Sequence, residues 1–279
     1  MVVSEHYQIG NVAIALTPGH PLPGHQSKHP LYDRLPIVMG LQSFTGWIID
    51  IGANVGDSAA AFVSGSPKKI LCIEPYAAYA RILEQNRAAL EANGSQIQIA
   101  PFAVSCKVGY LQVSADSGTA RATSEGHSAS LPTLTLDQLI ARYCPDQTID
   151  LIKCDVDGYD ADALLSGMGT IGHWKPIIYF ECDLTAEQIG NYVELYEQLS
   201  ILGYVFKCFD NFGLPLQTIA DANTFREILT YICLMGEEKS SRSFYYIDCM
   251  AYVIGNEDAA TILSNYSNYV RGLRFADEA

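Results

Sequence analysis

The sequence is poor in basic residues. It has 17 Lys and Arg against 31 Asp and Glu, giving a formal net charge of −14, and it contains no run of five or six consecutive Lys and Arg. Nucleic-acid backbones and anionic membrane surfaces are bound through clustered basic side chains. We therefore expect neither nucleic acid nor a membrane surface as a partner.

Long apolar runs and paired cysteines are missing as well. No run approaches the roughly 18 to 20 apolar residues of a membrane span, and residues 1–10 lack the basic flank and apolar stretch of a signal peptide. The eight cysteines are scattered singly, without any C-x-x-C. This pattern favours reduced, buried thiols over a disulfide framework. The expectation is a soluble, cytoplasmic globular protein.

From residue 46 onward the sequence alternates short apolar runs with helical segments. Such alternation predicts one domain built on a parallel sheet that is covered on both faces. The last run follows the last helix of this series and is predicted to pair antiparallel at the sheet edge. The runs predicted as strands are 46–50, 68–75, 96–104, 148–154, 175–182, 204–210 and 241–255.

Residues 1–45 are predicted to be an N-terminal extension packed on the core, with the main domain spanning 46–279. Five prolines lie between positions 18 and 36, which predicts an extended or turn-rich segment rather than a helix. His20, His25 and His29 also lie there, but their spacing matches no metal-ligand pattern. We assign no metal to them and expect a surface segment.

A second irregular stretch, residues 113–130, is rich in small polar side chains. It is too long for an ordinary connection and is predicted to be a mobile loop or a hairpin with a long tip. His127 in this stretch is a second candidate base, should the loop fold over a ligand.

The stretch "IIDIGANVGD", residues 48–57, is a strand that ends in a glycine turn. A dinucleotide fingerprint needs G-x-G-x-x-G, whereas this turn has two glycines, Gly52 and Gly56, flanked by Asp50 and Asp57. The acids would repel a diphosphate but suit S-adenosylmethionine, which carries a sulfonium and an ammonium group. The runner-up readings are an NAD-type oxidoreductase on a similar sheet and a cofactor-binding module without turnover.

Two carboxylates fit that cofactor. Asp50 is placed near its amino group, and Glu74, 24 residues further at the end of the next strand, is placed to accept both ribose hydroxyls, as acids do in NAD proteins. The alternatives are that Asp50 is a helix N-cap and Glu74 a solvated strand end.

The motifs "IIDIGANVGD", "CIEP", "PFAVS", "LTLDQL" and "DLIKCDVDGYDADALLSG" followed by "KPIIYFECD" resemble, in order and spacing, the FkbM-type methyltransferases. The resemblance covers roughly residues 45–185, and "DNFG" and "FYYIDCMAYV" extend it. It implies a class I, Rossmann-like α/β methyltransferase fold with a mostly parallel seven-stranded sheet and an antiparallel edge strand. It also implies S-adenosylmethionine as cofactor and O-methylation, often of sugars or natural products. By motif match the cofactor contacts are Asp50, Gly52, Ala53, Asn54, Gly56, Glu74, Phe102, Ala103 and Val104.

The chemistry is predicted at the end of the fourth strand. In an extended chain Lys153, Asp155 and Asp157 point to one side, and Glu181 leaves the next strand beside them. We assign Asp155 to the acceptor hydroxyl, as base or orienting acceptor, with Lys153, Asp157 and Glu181 around it. At Asp157 the family more often has Glu, which alters the reach of this carboxylate.

Two alternatives remain for this carboxylate set. Asp155 or Asp157 could cap the helix that begins near Tyr159. Two or three of the carboxylates could instead hold a Mg²⁺ that grips the acceptor oxygens. We favour the metal-free mechanism because Lys153 already supplies a positive charge. The acceptor is expected to be a small molecule or a glycan.

Overall fold

The structure is a computed structural model that describes residues 5–29, 31, 34–116, 119–122, 129–236 and 244–276. The strands in chain order are β1 (Glu5–Ile9), β2 (Val12–Leu16), β3 (Trp47–Ile51), β4 (Lys69–Ile73), β5 (Gln96–Ala100), β6 (Ala103–Val104), β7 (Gly109–Asp116), β8 (Thr119–Ala122), β9 (Ala129–Leu134), β10 (Ile149–Cys154), β11 (Ile177–Cys182), β12 (Tyr204–Asp210), β13 (Pro215–Thr218) and β14 (Ile247–Val253).

The helices are α1 (Leu22–Lys28), α2 (Arg34–Gly40), α3 (Asp57–Val63), α4 (Ala77–Leu90), α5 (Leu136–Tyr143), α6 (Asp160–Leu165), α7 (Met168–Trp174), α8 (Ile189–Ile201), α9 (Ala222–Gly236) and α10 (Glu257–Ala276). A single 3₁₀ turn, Ala186–Gln188, precedes α8. Within the described residues, no helix combines the length and apolarity that crossing a membrane would require.

The main sheet has eight strands in the order β13-β12-β14-β11-β10-β3-β4-β5. Strands β11, β10, β3, β4 and β5 are parallel. Strand β14 runs antiparallel to both of its neighbours, β11 and β12. All seven predicted runs supply a strand of this sheet, and the predicted class I α/β fold is confirmed.

Two details of the predicted sheet are wrong: the number of strands, which is eight rather than seven, and the place of the late strand. The late strand β14 lies between β11 and β12 rather than at the edge. Its residues Cys249, Met250 and Ala251 are completely buried, which requires a neighbour on each side and cover on both faces. The antiparallel edge is the eighth strand, β13, which is short and mostly exposed and lacks an apolar run that could reveal it.

The sheet is buried on both faces because successive side chains of each strand point to opposite sides. Ile48 and Leu151 belong to a hydrophobic cluster with residues of α2, α3, α4 and α10. Ile49 and Ile152 belong to another cluster, with residues of α5 to α9. Strand β3, "WIIDI", is accordingly buried at every position.

The N-terminal hairpin β1–β2 packs against α3 and α4. Buried Asn86 on α4 accepts from Ala15 N at 2.7 Å and donates to Ala15 O at 2.9 Å. The same amide donates to Val55 O at 2.8 Å. One side chain therefore ties the hairpin to the glycine turn after β3.

The proline-rich segment contains two short helices, α1 and α2, so the prediction of a non-helical segment is wrong there. Pro23 lies in the first turn of α1 and Pro36 in the first turn of α2. Proline is tolerated in a first turn because its missing N–H has no partner within the helix at that position.

Strands β6, β9, β7 and β8 form a separate small sheet in that order. The antiparallel pair β7–β8 forms a hairpin within the stretch 113–130, but only two residues separate its strands, so the long tip of the predicted hairpin is wrong. Residues 117–118 and 123–128 of this stretch, and with them the candidate base His127, lie outside the described residues.

Candidate active site

The glycine turn leaves β3 and enters α3 at the carboxyl edge of the sheet. The amides of Gly52 and Ala53 donate to Ile73 O at 3.0 and 3.1 Å, which holds the turn against β4. Gly52 has φ +76°, and a Cβ there would lie 1.9 Å from Asp155 O. Glycine is therefore required at this position, because the chain leaving β10 passes directly beneath the turn.

Asp50 is completely buried under the turn. Its Oδ2 accepts from Ser58 Oγ at 2.6 Å, and its Oδ1 lies 3.4 Å from Lys153 Nζ. The N-cap of α3 is Gly56 rather than Asp50, so the alternative of Asp50 as a helix cap is wrong. Asp50 anchors Lys153 instead.

Lys153 joins Asp50 to Asp155. Its Nζ lies 3.4 Å from Asp50 Oδ1 and 3.5 Å from Asp155 Oδ2, and it donates to Gly52 O at 3.0 Å. Burial lowers the pKa of Lys153, but the carboxylates of Asp50, Asp155 and Asp57 outweigh burial and raise that pKa well above its usual value. The ammonium group therefore stays charged at neutral pH.

Glu74 is buried at the end of β4. Its two oxygens accept from Asn54 N at 2.9 Å and from Tyr76 N at 2.7 Å. Burial raises the pKa of this carboxyl to about 7, although both backbone hydrogen bonds act to lower it. The alternative of a solvated strand end is wrong, and each oxygen keeps a lone pair for a ligand.

Three adjoining clefts follow the carboxyl edge of the sheet. The central cleft has a volume of about 960 Å³, which, like the volumes of the other two clefts, includes space open to solvent. It is lined in part by Gly52, Asn54, Glu74, Lys153 and Asp155. The apolar cleft, about 460 Å³, shares Gly52, Pro75 and Val156 with it and is otherwise lined by Ile51, Ile73, Phe102, Ala103, Val104, Leu111 and Tyr159. The outer cleft, about 750 Å³, includes Tyr179, Phe209, Asn211, Tyr246, Asp248 and Tyr266.

The central and outer clefts share four ionisable side chains: Asp57, Lys153, Asp155 and Glu181. Asp155 is the exposed member, with 52% of its side chain accessible. Burial raises the pKa of Asp57, against the lowering effect of Lys153 and His20. Burial, then the charges of Asp155 and Asp248, raises the pKa of Glu181 well above its usual value. The four thus form a wall that holds one cation and three carboxyl groups.

A candidate cation site adjoins this wall. Asp157, Glu181 and Asp183 each offer a carboxylate oxygen, and these oxygens lie within 4.8 Å of one another. Hard cations such as Mg²⁺ take such ligands. The alternative that Asp155 or Asp157 caps the following helix is wrong. Helix α6 begins at Asp160, and its N-cap residue is Tyr159, whose side chain makes no capping hydrogen bond.

The residues predicted to hold the cofactor fall into two groups. Gly52, Asn54, Glu74 and the stretch Phe102, Ala103 and Val104 line the central or the apolar cleft. Asp50, Ala53 and Gly56 are buried behind the turn, and a Cβ on Gly56 would lie 2.7 Å from Leu83 Cδ1. These three residues are not in the lining of either cleft and instead support the turn that forms the site. The roles of all the site residues stay predictions.

Several lining residues were missed by reasoning from the sequence. Asp57 was predicted only as an acid that flanks the glycine turn, yet it lines both the central and the outer cleft. Asp248 faces the site because its strand is inserted beside β11, opposite Glu181. His20 and His25, assigned to a surface segment, line the central cleft. Only the packing of distant segments brings these residues together.

The family model described as the methyltransferase FkbM domain matches residues 50–238. No curated protein matches the chain. Among solved structures, an FkbM methyltransferase from Methylobacillus flagellatus shares 16% identity at a TM-score of 0.41, covering 65% of this chain and 52% of that one. The chain thus spans about half of that structure's length.

Two further structures resemble the chain at low identity. An O-methyltransferase from Bacillus cereus in complex with SAH shares 12% identity at a TM-score of 0.42, covering 83% of this chain and 88% of that one. An S-adenosylmethionine-dependent methyltransferase from Agrobacterium tumefaciens shares 8% identity at a TM-score of 0.48, covering 89% of this chain and 70% of that one. The family match spans more than half of the chain and supports the predicted methyltransferase over the alternative of an oxidoreductase. The chain belongs to the FkbM methyltransferase family and is an S-adenosylmethionine-dependent methyltransferase.

Proposed function

We propose that the protein methylates a hydroxyl group of an uncharged or cationic polyhydroxylated acceptor, such as a sugar, a glycan or a hydroxylated natural product. The observation that carries this proposal is the position of Lys153 and Asp155 in the wall that the central and outer clefts share. A cofactor on one side and an acceptor on the other would meet at the Asp155 carboxylate.

The two inner clefts fit the parts of S-adenosylmethionine. The apolar cleft at Phe102, Ala103 and Val104 offers a mostly apolar surface for an adenine ring. Glu74 lines the central cleft next to Pro75, which both clefts share, and would accept the ribose hydroxyls. The central cleft then holds the methionine part. When bound, the cofactor supplies an electrophilic methyl group on a sulfonium.

Asp155 acts on the acceptor. It takes the proton from the acceptor hydroxyl while that oxygen forms its bond to the methyl carbon and the carbon–sulfur bond breaks. Lys153 Nζ lies 3.5 Å from Asp155 Oδ2 and so places a positive charge beside the reacting groups. Positioning supplies a large part of such an acceleration, and a base typically adds on the order of 10² to 10⁴-fold.

The charges of the outer cleft select the acceptor. Asp57, Asp155, Glu181 and Asp248 line it, and Lys153, already paired with Asp50, is the one Lys or Arg among its described lining residues. Phosphorylated or sulfated acceptors would be repelled there. Neutral sugars and amine-bearing acceptors are suited to these carboxylates, and the Tyr and Phe rings of the same cleft offer faces for stacking.

We propose that the reaction proceeds without a divalent metal, because Lys153 supplies the positive charge at the reacting oxygen. Asp157, Glu181 and Asp183 would then be acceptor ligands. Dialysis against EDTA should leave turnover unchanged, and added Mg²⁺ should not raise the melting temperature. Activity lost with EDTA and restored by Mg²⁺ would instead assign a metal to this triplet.

The decisive experiment is an acceptor screen that measures release of S-adenosylhomocysteine. The panel pairs each neutral glycoside with its amino and its phosphorylated analogue. Turnover is expected with neutral or amino members and not with the phosphorylated ones. Turnover confined to phosphorylated acceptors would contradict the charge argument, and methyl found on nitrogen would overturn the assignment to a hydroxyl.

A further inference from the structure

The N-terminal segment brings an imidazole ring to the central cleft. His20 lies between strand β2 and helix α1, in a turn in which His20 N donates to Thr17 O at 3.0 Å. Leu22 N donates to His20 Nδ1 at 3.3 Å. Nδ1 is thus the acceptor nitrogen, and in the neutral ring the hydrogen resides on Nε2.

That Nε2 atom is buried and has no hydrogen-bond partner among the residues that the structure describes. The ring lines the central cleft. A buried N–H without an acceptor costs free energy, and such a group in a ligand-sized cleft indicates that a ligand supplies the acceptor.

The central cleft has many carboxyl groups and few side chains that could donate a hydrogen bond to an anionic ligand group, as His20 Nε2 could. The central cleft is lined by the carboxyl groups of Asp57, Glu74, Asp155, Asp157 and Glu181. The Lys153 ammonium already contacts Asp50, Asp155 and Gly52 O. Burial, together with the charges of His29, Lys28 and His20, lowers the pKa of His25, which disfavours a positive charge on this second lining histidine.

S-adenosylmethionine carries one anionic group, the α-carboxylate of its methionine part, and the acids of this cleft would repel it. We propose that His20 Nε2 donates a hydrogen bond to this carboxylate and so positions the cofactor. The inference rests on the proposed placement of the cofactor in the central cleft. His20 lies outside the family match, which begins at residue 50, so the N-terminal segment completes a site that the family domain leaves without this donor.

Calorimetric titration with two ligands tests the proposal. S-adenosylmethionine is compared with its decarboxylated form, which keeps the sulfonium and the ammonium group but lacks the carboxylate. His20→Asn places a side-chain oxygen near the position of Nδ1, so it can still accept from Leu22 N, but it has no group at Nε2. It should bind S-adenosylmethionine about tenfold or more weakly, the scale of a lost hydrogen bond to a charged group, and the decarboxylated form within about twofold of the wild type.

Two variants serve as controls. His20→Gln places an amide nitrogen near the position of Nε2 and should retain part of the selectivity for the carboxylate. His6→Asn changes an exposed histidine on β1 and should leave both affinities unchanged. If His20→Asn does not fold, His20→Phe fills the volume of the ring without either nitrogen and gives the same comparison.

The outcomes separate this proposal from the proposed function. Equal weakening of both ligands in His20→Asn would mean that His20 shapes the cleft or pairs with Asp57, and it would overturn the carboxylate contact. Failure of the wild-type protein to bind S-adenosylmethionine at all would overturn the proposed cofactor site itself, and this contact with it.

Discussion

The carbonyl oxygen of Asp155 lies 1.9 Å from the position that a Cβ on Gly52 would occupy. The glycine turn and the chain leaving β10 are therefore in backbone contact, and Asp155 N donates to Ile51 O at 3.1 Å. Because Asp155 also bears the proposed base, the geometry of the turn and the position of that base depend on each other.

Replacing Gly52 tests this contact. Gly52→Ala must push the backbone of residue 155 away, so we expect about 4 kcal/mol or more lost from the free energy of unfolding, together with loss of cofactor binding. Gly94→Ala is the control, because Gly94 also has a positive φ (+90°) but nothing within 4 Å of its added Cβ. It should cost only the strain of the left-handed conformation, roughly 1 to 2 kcal/mol. Equal losses in urea denaturation would contradict the contact.

Much of this arrangement could be predicted from the sequence, because strands and tight turns are local. "WIIDI" and "KILCI" are apolar at nearly every position, as strands buried on both faces must be, and they form β3 and β4. Gly52 and Glu74 follow at strand ends, so the carboxyl edge of a parallel sheet brings them to one site.

The remaining parts of the site depend on contacts that no local pattern shows. His20 reaches the central cleft because the hairpin before it, β1–β2, is held at Ala15 by Asn86, which lies 71 residues further along the chain. Asp248 faces Glu181 only because β14 pairs with β11 and β12. The prolines of residues 18–36 led to a wrong prediction of a non-helical segment. A proline in the first turn is compatible with a helix, whereas one in the helix interior breaks it.

The raised pKa of Glu74 predicts a pH dependence of stability. In the unfolded chain this carboxyl loses its proton near its ordinary value of 4.5, whereas in the folded protein it keeps the proton until pH is about 7. The folded state binds more protons between these values, so the free energy of unfolding falls as pH rises through that window and is level above it. Glu74→Gln does not titrate and lacks this component.

The stability advantage of the wild type over Glu74→Gln should therefore shrink by roughly 2 to 3 kcal/mol between pH 5 and pH 7.5. Urea denaturation of both proteins at the two pH values measures it. Glu187→Gln, at an exposed position, is the control and should differ from the wild type by the same small amount at both. A constant difference for Glu74→Gln would show that its carboxyl is already ionised at pH 5.

The buried pair of Lys153 and Asp50 predicts strong coupling. Lys153→Met leaves the Asp50 carboxylate buried without its cation and should cost about 3 to 5 kcal/mol. The double variant with Asp50→Asn removes both charges and should lose less than the sum of the single variants. Lys69→Met, at an exposed position on neighbouring strand β4, should change stability by less than about 0.5 kcal/mol. Additive losses would mean that the 3.4 Å contact contributes nothing.

The assignment of Asp155 predicts a loss confined to catalysis. Asp155→Asn keeps the shape of the side chain and removes its charge and its basicity. Since Asp155 is half-exposed and lies at the boundary of the two clefts, the variant should bind S-adenosylmethionine nearly as well as the wild type. Its kcat should fall by roughly 10²-fold or more, the scale of a lost acid–base group.

Asp146→Asn is the matched control for this loss. Asp146 is exposed and precedes β10, whereas Asp155 follows it, so the two aspartates flank the same strand at opposite edges of the sheet. The control should keep full turnover and full cofactor affinity. If Asp155→Asn also turned over at the wild-type rate, Asp155 would not be the base, and Glu181 would be the next carboxyl to test. Burial, and then the charges of Asp155 and Asp248, raise the pKa of Glu181 well above its usual value. Turnover that depends on ionised Glu181 should therefore increase with pH in a range above that of an ordinary carboxyl, which a pH–rate profile would show.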